Sequence, residues 1–497
     1  MDPTRIPVIA AIGEFKDEPD AIIDALEPLD AMAIAARRAD NEAGASLLAT
    51  TDSVDVVNFI SWPYADPASQ LCERLGISPQ RRVYGAVGGE TPLRLVYEAA
   101  RRICAGDSQV ALVCGGEAHQ AVARAERDGL TLPWTAKPAV AAPSVRSQDL
   151  AHPLAKRLGA HLPVSVYPLY ETATAARRGQ TPAEAAAESA SMWSRMSAIA
   201  MQNATAWILR PHTPMEIATP SPTNRFIAEP YTKLMVANIA VNQAAAVIVT
   251  SLAKAREAGI DDGRLVFIGA GFHAQEPQDY LLRDAYSHCV ARDAVLEAAK
   301  AERHGLLDAV ELYSCFPVVP KSARRALDMD TSADVTVTGG LTFFGAPLNN
   351  YMTHALCAMT RRLRHKPGTG LLYGQGGYMT KHMSLVLGSS PAVSVCFQTR
   401  AASVQDAVSE RYGPIPPFKA EPIGRARVEA HTVLHSRDGA RTGVVVVRTE
   451  DGARSLAGIP AEDSDTLSLL GRHDAFAIDA WGDVTVEPNG APRWRAV

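Results

Sequence analysis

One order of elements occurs twice along the 497-residue chain, and no other feature restricts its fold as much. In the first half a strand at 8–12 precedes a helix at 29–43, a strand at 54–60, the glycine turn GGETP, a helix at 93–105 and a strand closing on VCGGEAH. In the second half LVFIGAG, a helix at 292–303, AVELYSCF, the turn GGLTFFGAP, a helix at 351–365 and LLYGQGGYMTKH repeat that order. The strands, with AAVIVTS and AVSVCF among them, are short β-branched runs, and alanine-rich amphipathic stretches separate them. Continuous apolar strands that alternate with helices imply βαβ units whose sheet is covered on both faces. A duplicated α/β fold follows, with halves at 1–119 plus 233–255 and at 256–412.

Two stretches fit neither copy. Residues 120–232 are loop-rich with amphipathic helices and read as an inserted loop domain covering a site. After the proline-rich spacer PIPPFKAEPIG, the runs RARVEAHTVLH, TGVVVVRT and FAIDAWGDVTVEP predict a small antiparallel β-barrel over 413–497, self-contained and separable.

Lys plus Arg against Asp plus Glu is 49 to 54, a net charge of −5, which gives no reason to expect nucleic acid or an anionic membrane as partner. The seven cysteines are odd in number and sit mostly inside apolar runs, a pattern of reduced thiols. No apolar stretch approaches the roughly 20 residues of a membrane helix. The first residues lack the basic and apolar regions of a leader, so a cytoplasmic location is expected. No spacing of His, Cys, Asp and Glu suits a metal, and GAGF lacks the three-glycine spacing of a dinucleotide site.

The two halves, with AGDSQVALVCGGEA in the first and AVELYSCFP plus GG…GAP in the second, resemble the thiolase superfamily. The inserted pattern from YPLYETATAARRGQ to NIAVNQAAAVIVTS resembles thiolase-like proteins related to the sterol-carrier-protein thiolases, which are loosely termed acetyl-CoA acetyltransferases. The resemblance spans roughly 5–400 and implies the layered αβαβα thiolase fold, while the C-terminal segment resembles an oligosaccharide/oligonucleotide-binding (OB) barrel.

The resemblance also locates four motifs. The nucleophilic cysteine of such enzymes precedes an Ala-Gly-Asp element by 16 residues, and here that element starts at Ala105, so Gly89 stands at the nucleophile position. The second motif falls on Tyr313, Ser314, Cys315 and Phe316, with a tyrosine at the oxyanion-hole position and Cys315 where related thiolases use a cysteine as acid or base. The third, Gly-His-Pro, falls on Gly345, Ala346 and Pro347 and lacks its histidine. The fourth, Cys-x-Gly, falls on Gly374, Gln375 and Gly376 and lacks its cysteine.

Polar residues cluster beside each lost position: Glu90 and Thr91, then Asn349, Asn350 and His354, then Lys381 and His382. In a thiolase fold these loops converge on one pocket, giving a thiol, two imidazoles, a phenol and a carboxylate for acid/base work and oxyanion binding. The candidate catalytic residues are therefore Cys315, His382, His354 and Tyr313. Gly89, Glu90, Thr91, Asn350, Gly376 and Gly377 are the candidate substrate contacts. The implied activity is CoA-dependent acyl transfer on a 3-oxoacyl compound, of Claisen or retro-Claisen type, with coenzyme A or acyl-CoA as substrate and no covalently bound cofactor. Cys315 as base and Cys315 as relocated nucleophile both stay open, as does a non-catalytic acyl-CoA-binding or assembly protein. The resemblance also implies a possible homodimer.

Overall fold

The computed structural model describes residues 2–302, 307–398 and 402–497, with the backbone alone at 395–398. Its first strands are β1 (Pro7–Lys16), β2 (Ser53–Val56), β3 (Arg81–Tyr84) and β4 (Val110–Ala118). A short hairpin, β5 (Phe226–Ala228) and β6 (Tyr231–Thr232), precedes β7 (Asn242–Ser251) and β8 (Val266–Gln275). Then come β9 (Ala309–Leu312), β10 (Thr369–Gly376) and β11 (Lys381–Gly388).

Nine of these strands form one sheet in the order β3-β2-β4-β7-β1-β8-β11-β10-β9. The order is symmetric about the β1–β8 junction, where Val8 faces Phe267 and Ile9 faces Val266 antiparallel. On either side the next strand, β7 or β11, is antiparallel, and the outer pairs β4–β2 and β10–β9 are parallel. The doubled order of the sequence is thus a two-fold repeat in space. Strands β4 and β7 are buried along their whole length, which is why they read as unbroken apolar runs.

Helices Thr91–Ala105 and Tyr351–His365 touch each other and strands of both halves, while Pro28–Ala43 covers β1 and β7 and Val290–Ala301 covers β8 and β11. These are the layers of a thiolase fold. Each glycine turn delivers its chain into the start of a central helix, so the turns of the two halves meet.

Two expectations fail locally. The apolar run AVSVCF lies in a 3-10 segment, Pro391–Gln398, and the strand that completes the second half is β11, whose polar start Lys381–His382 hides it. The helix expected at 292–303 is Val290–Ala301, and Arg303 lies outside the described residues.

The C-terminal strands β12 (Gly424–His435), β13 (Arg441–Thr449), β14 (Arg454–Ile459), β15 (Trp481–Val486) and β16 (Pro492–Ala496) close into a barrel, since β12 pairs with both β13 and β15. It is not self-contained. The β5–β6 hairpin of the insertion extends it through Ala228 and Leu434, and Ala430, Val444, Val446 and Leu456 belong to the core of the main body. Helix Pro163–Arg177 packs along β12, where the Thr172 hydroxyl donates to the His431 carbonyl at 3.0 Å. Arg454, fully buried, donates to the carbonyls of Leu281 and Asp284 and pairs with Glu429. Even the spacer is held, by Gly413 N–H on Asp284 and by Lys419 N–H on the Arg454 carbonyl.

Candidate active site

A cavity of about 440 Å³ opens where the glycine turns meet, lined by Gly88, Gly89, Tyr313, Cys315, Phe316, Ala346, Asn349, Gln375, Gly376 and Gly377. The inserted segment supplies Arg146, Ser147, Gln148, Leu162, Pro163, Val164 and Tyr167, and His119 stands on the wall with Ile60 and Leu348.

Position 89 decides what the cavity can do. A β-carbon placed on Gly89 would lie 2.4 Å from the Tyr313 hydroxyl oxygen and 2.5 Å from the Gln375 carbonyl oxygen. Both are far inside contact distance, so Tyr313 occupies the room that a side chain at 89 would need. The tyrosine therefore fills the space beside Gly89 and presents its phenol to the cavity. Burial holds that phenol neutral, well above its ordinary pKa.

Cys315 is 8% exposed. Its sulfur accepts from Gln375 Nε2 at 3.1 Å, and the same amide donates to the Tyr167 hydroxyl oxygen at 2.8 Å. Tyr167 in turn donates to the Gly377 carbonyl at 3.0 Å and stacks on Phe316 with 4.5 Å between ring centres. Burial pushes the Cys315 thiol up to about 12, outweighing its hydrogen bonds. At neutral pH it is a thiol, able to give a proton and poorly able to attack.

The two histidines expected here do not line the cavity. His382 is fully buried, with Nδ1 on the Tyr373 hydroxyl at 2.8 Å and Nε2 3.3 Å from the Cys289 sulfur. Burial and the nearby Arg292 and Arg283 lower its pKa to about 3. Its partner is thus Cys289, not Cys315. His354 sits on the inward side of helix Tyr351–His365, its Nδ1 2.6 Å from Glu14, which also pairs with Arg361. Neither side chain is placed to touch a bound molecule.

Other expected contacts also lie behind the wall. The Glu90 carboxylate fills the space that side chains at Gly88 and Gly376 would take, and burial raises its pKa. Thr91 caps back onto the Ala86 carbonyl, and Asn350 donates to the Gly115 carbonyl at 2.7 Å. Its neighbour Asn349 is the one that lines the cavity, accepting from Gly88 N–H at 3.1 Å and donating to the Asn58 carbonyl at 2.9 Å. Gly89, Gly376 and Gly377 do form wall. Sequence reasoning passed over Gln375, Tyr167 and His119. Gln375 sits inside the fourth motif and was legible there. Tyr167 carries no local signal, since only the packing of the insertion aims it.

Residues 403–489 match the model of the thiolase-like protein type 1 additional C-terminal domain. Among solved structures, a monomeric SCP2-thiolase-like protein type 1 from Mycobacterium smegmatis superposes with a TM-score of 0.83 at 25% identity, covering 99% of either chain. An acetyl-CoA acetyltransferase from Syntrophomonas wolfei gives 0.57 at 14% identity, over 78% of this chain and 100% of its own. Human mitochondrial 3-ketoacyl-CoA thiolase in complex with CoA gives 0.55 at 16% identity, over 78% and 98%. No curated protein matches the sequence. Since the first of these structures is described as monomeric, the expected homodimer has no support. Among the described residues no helix is long and apolar enough to cross a membrane.

Proposed function

We propose that this member of the thiolase superfamily, extended by the additional C-terminal domain of type 1 thiolase-like proteins, takes the acyl end of a coenzyme A thioester into the cavity. It acts there as an acyltransferase on a 3-oxoacyl thioester, by Claisen or retro-Claisen chemistry with no acyl-enzyme. The observation that carries this reading is the exclusion of any side chain at Gly89 by Tyr313 beside a Cys315 thiol held neutral. In the cleaving direction the thiol of free CoA attacks the 3-oxo carbonyl and the C2–C3 bond breaks. In that addition the CoA proton passes to the 3-oxo oxygen, giving a hemithioketal; as its C2–C3 bond breaks, Cys315 gives its proton to the enolate carbon and takes up the one that leaves the hemithioketal oxygen. The proton lost by CoA is the one gained by the released acetyl group, so the account balances. A solved thiolase structure that holds CoA on this fold supports the choice of thioester.

The test is incubation with a 3-oxoacyl-CoA and CoA, following the two product thioesters by chromatography and the protein by intact mass. Products without any acylated protein support the reading, whereas a covalent acyl-protein overturns it. A second reading, an acyl-CoA-binding protein without turnover, is favoured by two observations: neither His354 nor His382 lines the cavity, and the Cys315 thiol is protonated at neutral pH. Tight binding of the thioester with no products selects it.

A further inference from the structure

We infer that His119 donates a hydrogen bond from Nε2 to the carbonyl oxygen of the bound thioester, in place of the histidine that the Gly345-Ala346-Pro347 turn lacks. The inference rests on the acyl-thioester reading of the cavity.

His119 is the first residue after β4 and opens helix His119–Asp128, half-buried on the wall of the cavity that Ile60, Leu348 and Asn349 also line. Its Nδ1 is sealed from solvent with no hydrogen-bond partner among the described residues. A proton on that nitrogen would be a buried donor with nothing to receive it, the more costly way to leave a ring nitrogen unpaired. The ring proton therefore belongs on Nε2, the nitrogen left to the cavity. Burial also lowers the imidazole pKa below its usual range, so the ring is neutral at pH 7 and serves as a donor. A neutral imidazole of this kind polarises a carbonyl without giving up its proton.

Two side-chain amides on the wall are already engaged. The Gln375 amide serves Tyr167 and Cys315, and the Asn349 amide serves the Asn58 carbonyl. The Tyr313 hydroxyl, with no hydrogen-bond partner among the described residues, is a further donor on the wall. His119 and Tyr313 come from different halves of the fold, as the end of β4 and the end of β9 meet there.

The experiment binds acetyl-CoA labelled with ¹³C at its carbonyl to the full chain and reads the carbonyl resonance and stretching band. In the wild type the resonance moves downfield and the band to lower frequency. His119→Leu should return both toward the free thioester and weaken binding about two- to tenfold, the range of one hydrogen bond. His119→Gln, which keeps an N–H donor, should retain part of the shift. Ring ¹⁵N resonances of His119 in the wild type give an independent readout that needs no folded variant, and a proton found on Nδ1 overturns the inference. A carbonyl that binds unshifted, or whose shift persists in His119→Leu, also overturns it while leaving the thioester reading intact. A wild type that binds no acetyl-CoA removes both.

Discussion

Placing a single methyl group on residue 89 probes the replacement at the heart of the cavity. In Gly89→Ala the new carbon meets the Tyr313 hydroxyl at 2.4 Å, Tyr313 Cζ at 2.6 Å and the Gln375 carbonyl oxygen at 2.5 Å. Gln375 cannot easily retreat, because it sits in β10 with its backbone registered against His382 of β11. Tyr313 has only its cavity-facing end free, since its ring packs edge-on to Tyr351 at 5.7 Å. Overpacking of this kind costs typically about 1–3 kcal/mol, and backbone on one side puts Gly89→Ala near the upper end, at about 3 kcal/mol. Tyr313→Ala removes two of the three close contacts and leaves the Gln375 carbonyl, so in that background the same methyl should cost about half as much. The coupling of about 1.5 kcal/mol is readable from a double-mutant cycle in urea, following the first unfolding transition. If Gly89→Ala costs the same with and without the tyrosine, Tyr313 is not what fills the space beside Gly89, and the steric argument falls.

Three further outcomes are expected. Cys315→Ala should lower turnover of a 3-oxoacyl-CoA at least about a hundredfold, the usual worth of a proton-transfer group, while costing about 1 kcal/mol of stability; alkylation of Cys315 at pH 8 should be slow and rise with pH toward its pKa of about 12. His382 and His431 are buried with pKa values lowered to about 3 and about 4. The unfolded chain therefore takes up their protons first, and as pH falls from about 6.5 toward 4 stability should drop by about 1.4 kcal/mol per pH unit for each. His431→Gln should flatten that slope in thermal melts. A chain ended at residue 413 should fail to stay soluble, and Arg454→Met in the full chain, which leaves the carbonyls of Leu281, Arg283 and Asp284 without their donor while Glu429 keeps Arg448, should cost about 3 kcal/mol; a well-folded truncated chain would restore the barrel to independence.

What the sequence made legible follows from burial. Strands covered on both faces leave unbroken apolar runs, so β1, β4, β7 and β8 and the doubling itself could be read directly. β11 could not, because Lys381 and His382 open it and point to opposite faces: the lysine reaches the Val87 carbonyl, the histidine turns inward to Tyr373. The motif alignment put Gly89, Tyr313, Cys315, Gly376 and Gly377 near one another, and the structure brings all five to one cavity. It could not tell which neighbour in each polar pair looks inward. Asn349 and Asn350 differ by one residue and by the whole thickness of the wall. Nor could alternation in the barrel reveal its attachment, which depends on one buried arginine and a two-strand hairpin contributed from some 200 residues upstream.

The union of barrel and body has a consequence for how the cavity behaves in a dilute cell. Tyr167 lines the cavity from the first turns of the helix that β12 braces, so the wall is complete only while the barrel is seated. Were the barrel a separate chain, the share of molecules with a finished wall would follow its concentration and dissociation constant. Joined through residues 413–423 it is present at a fixed, high local concentration whatever the expression level. Dilution leaves every copy assembled, and no imbalance in synthesis can produce a body without its cap.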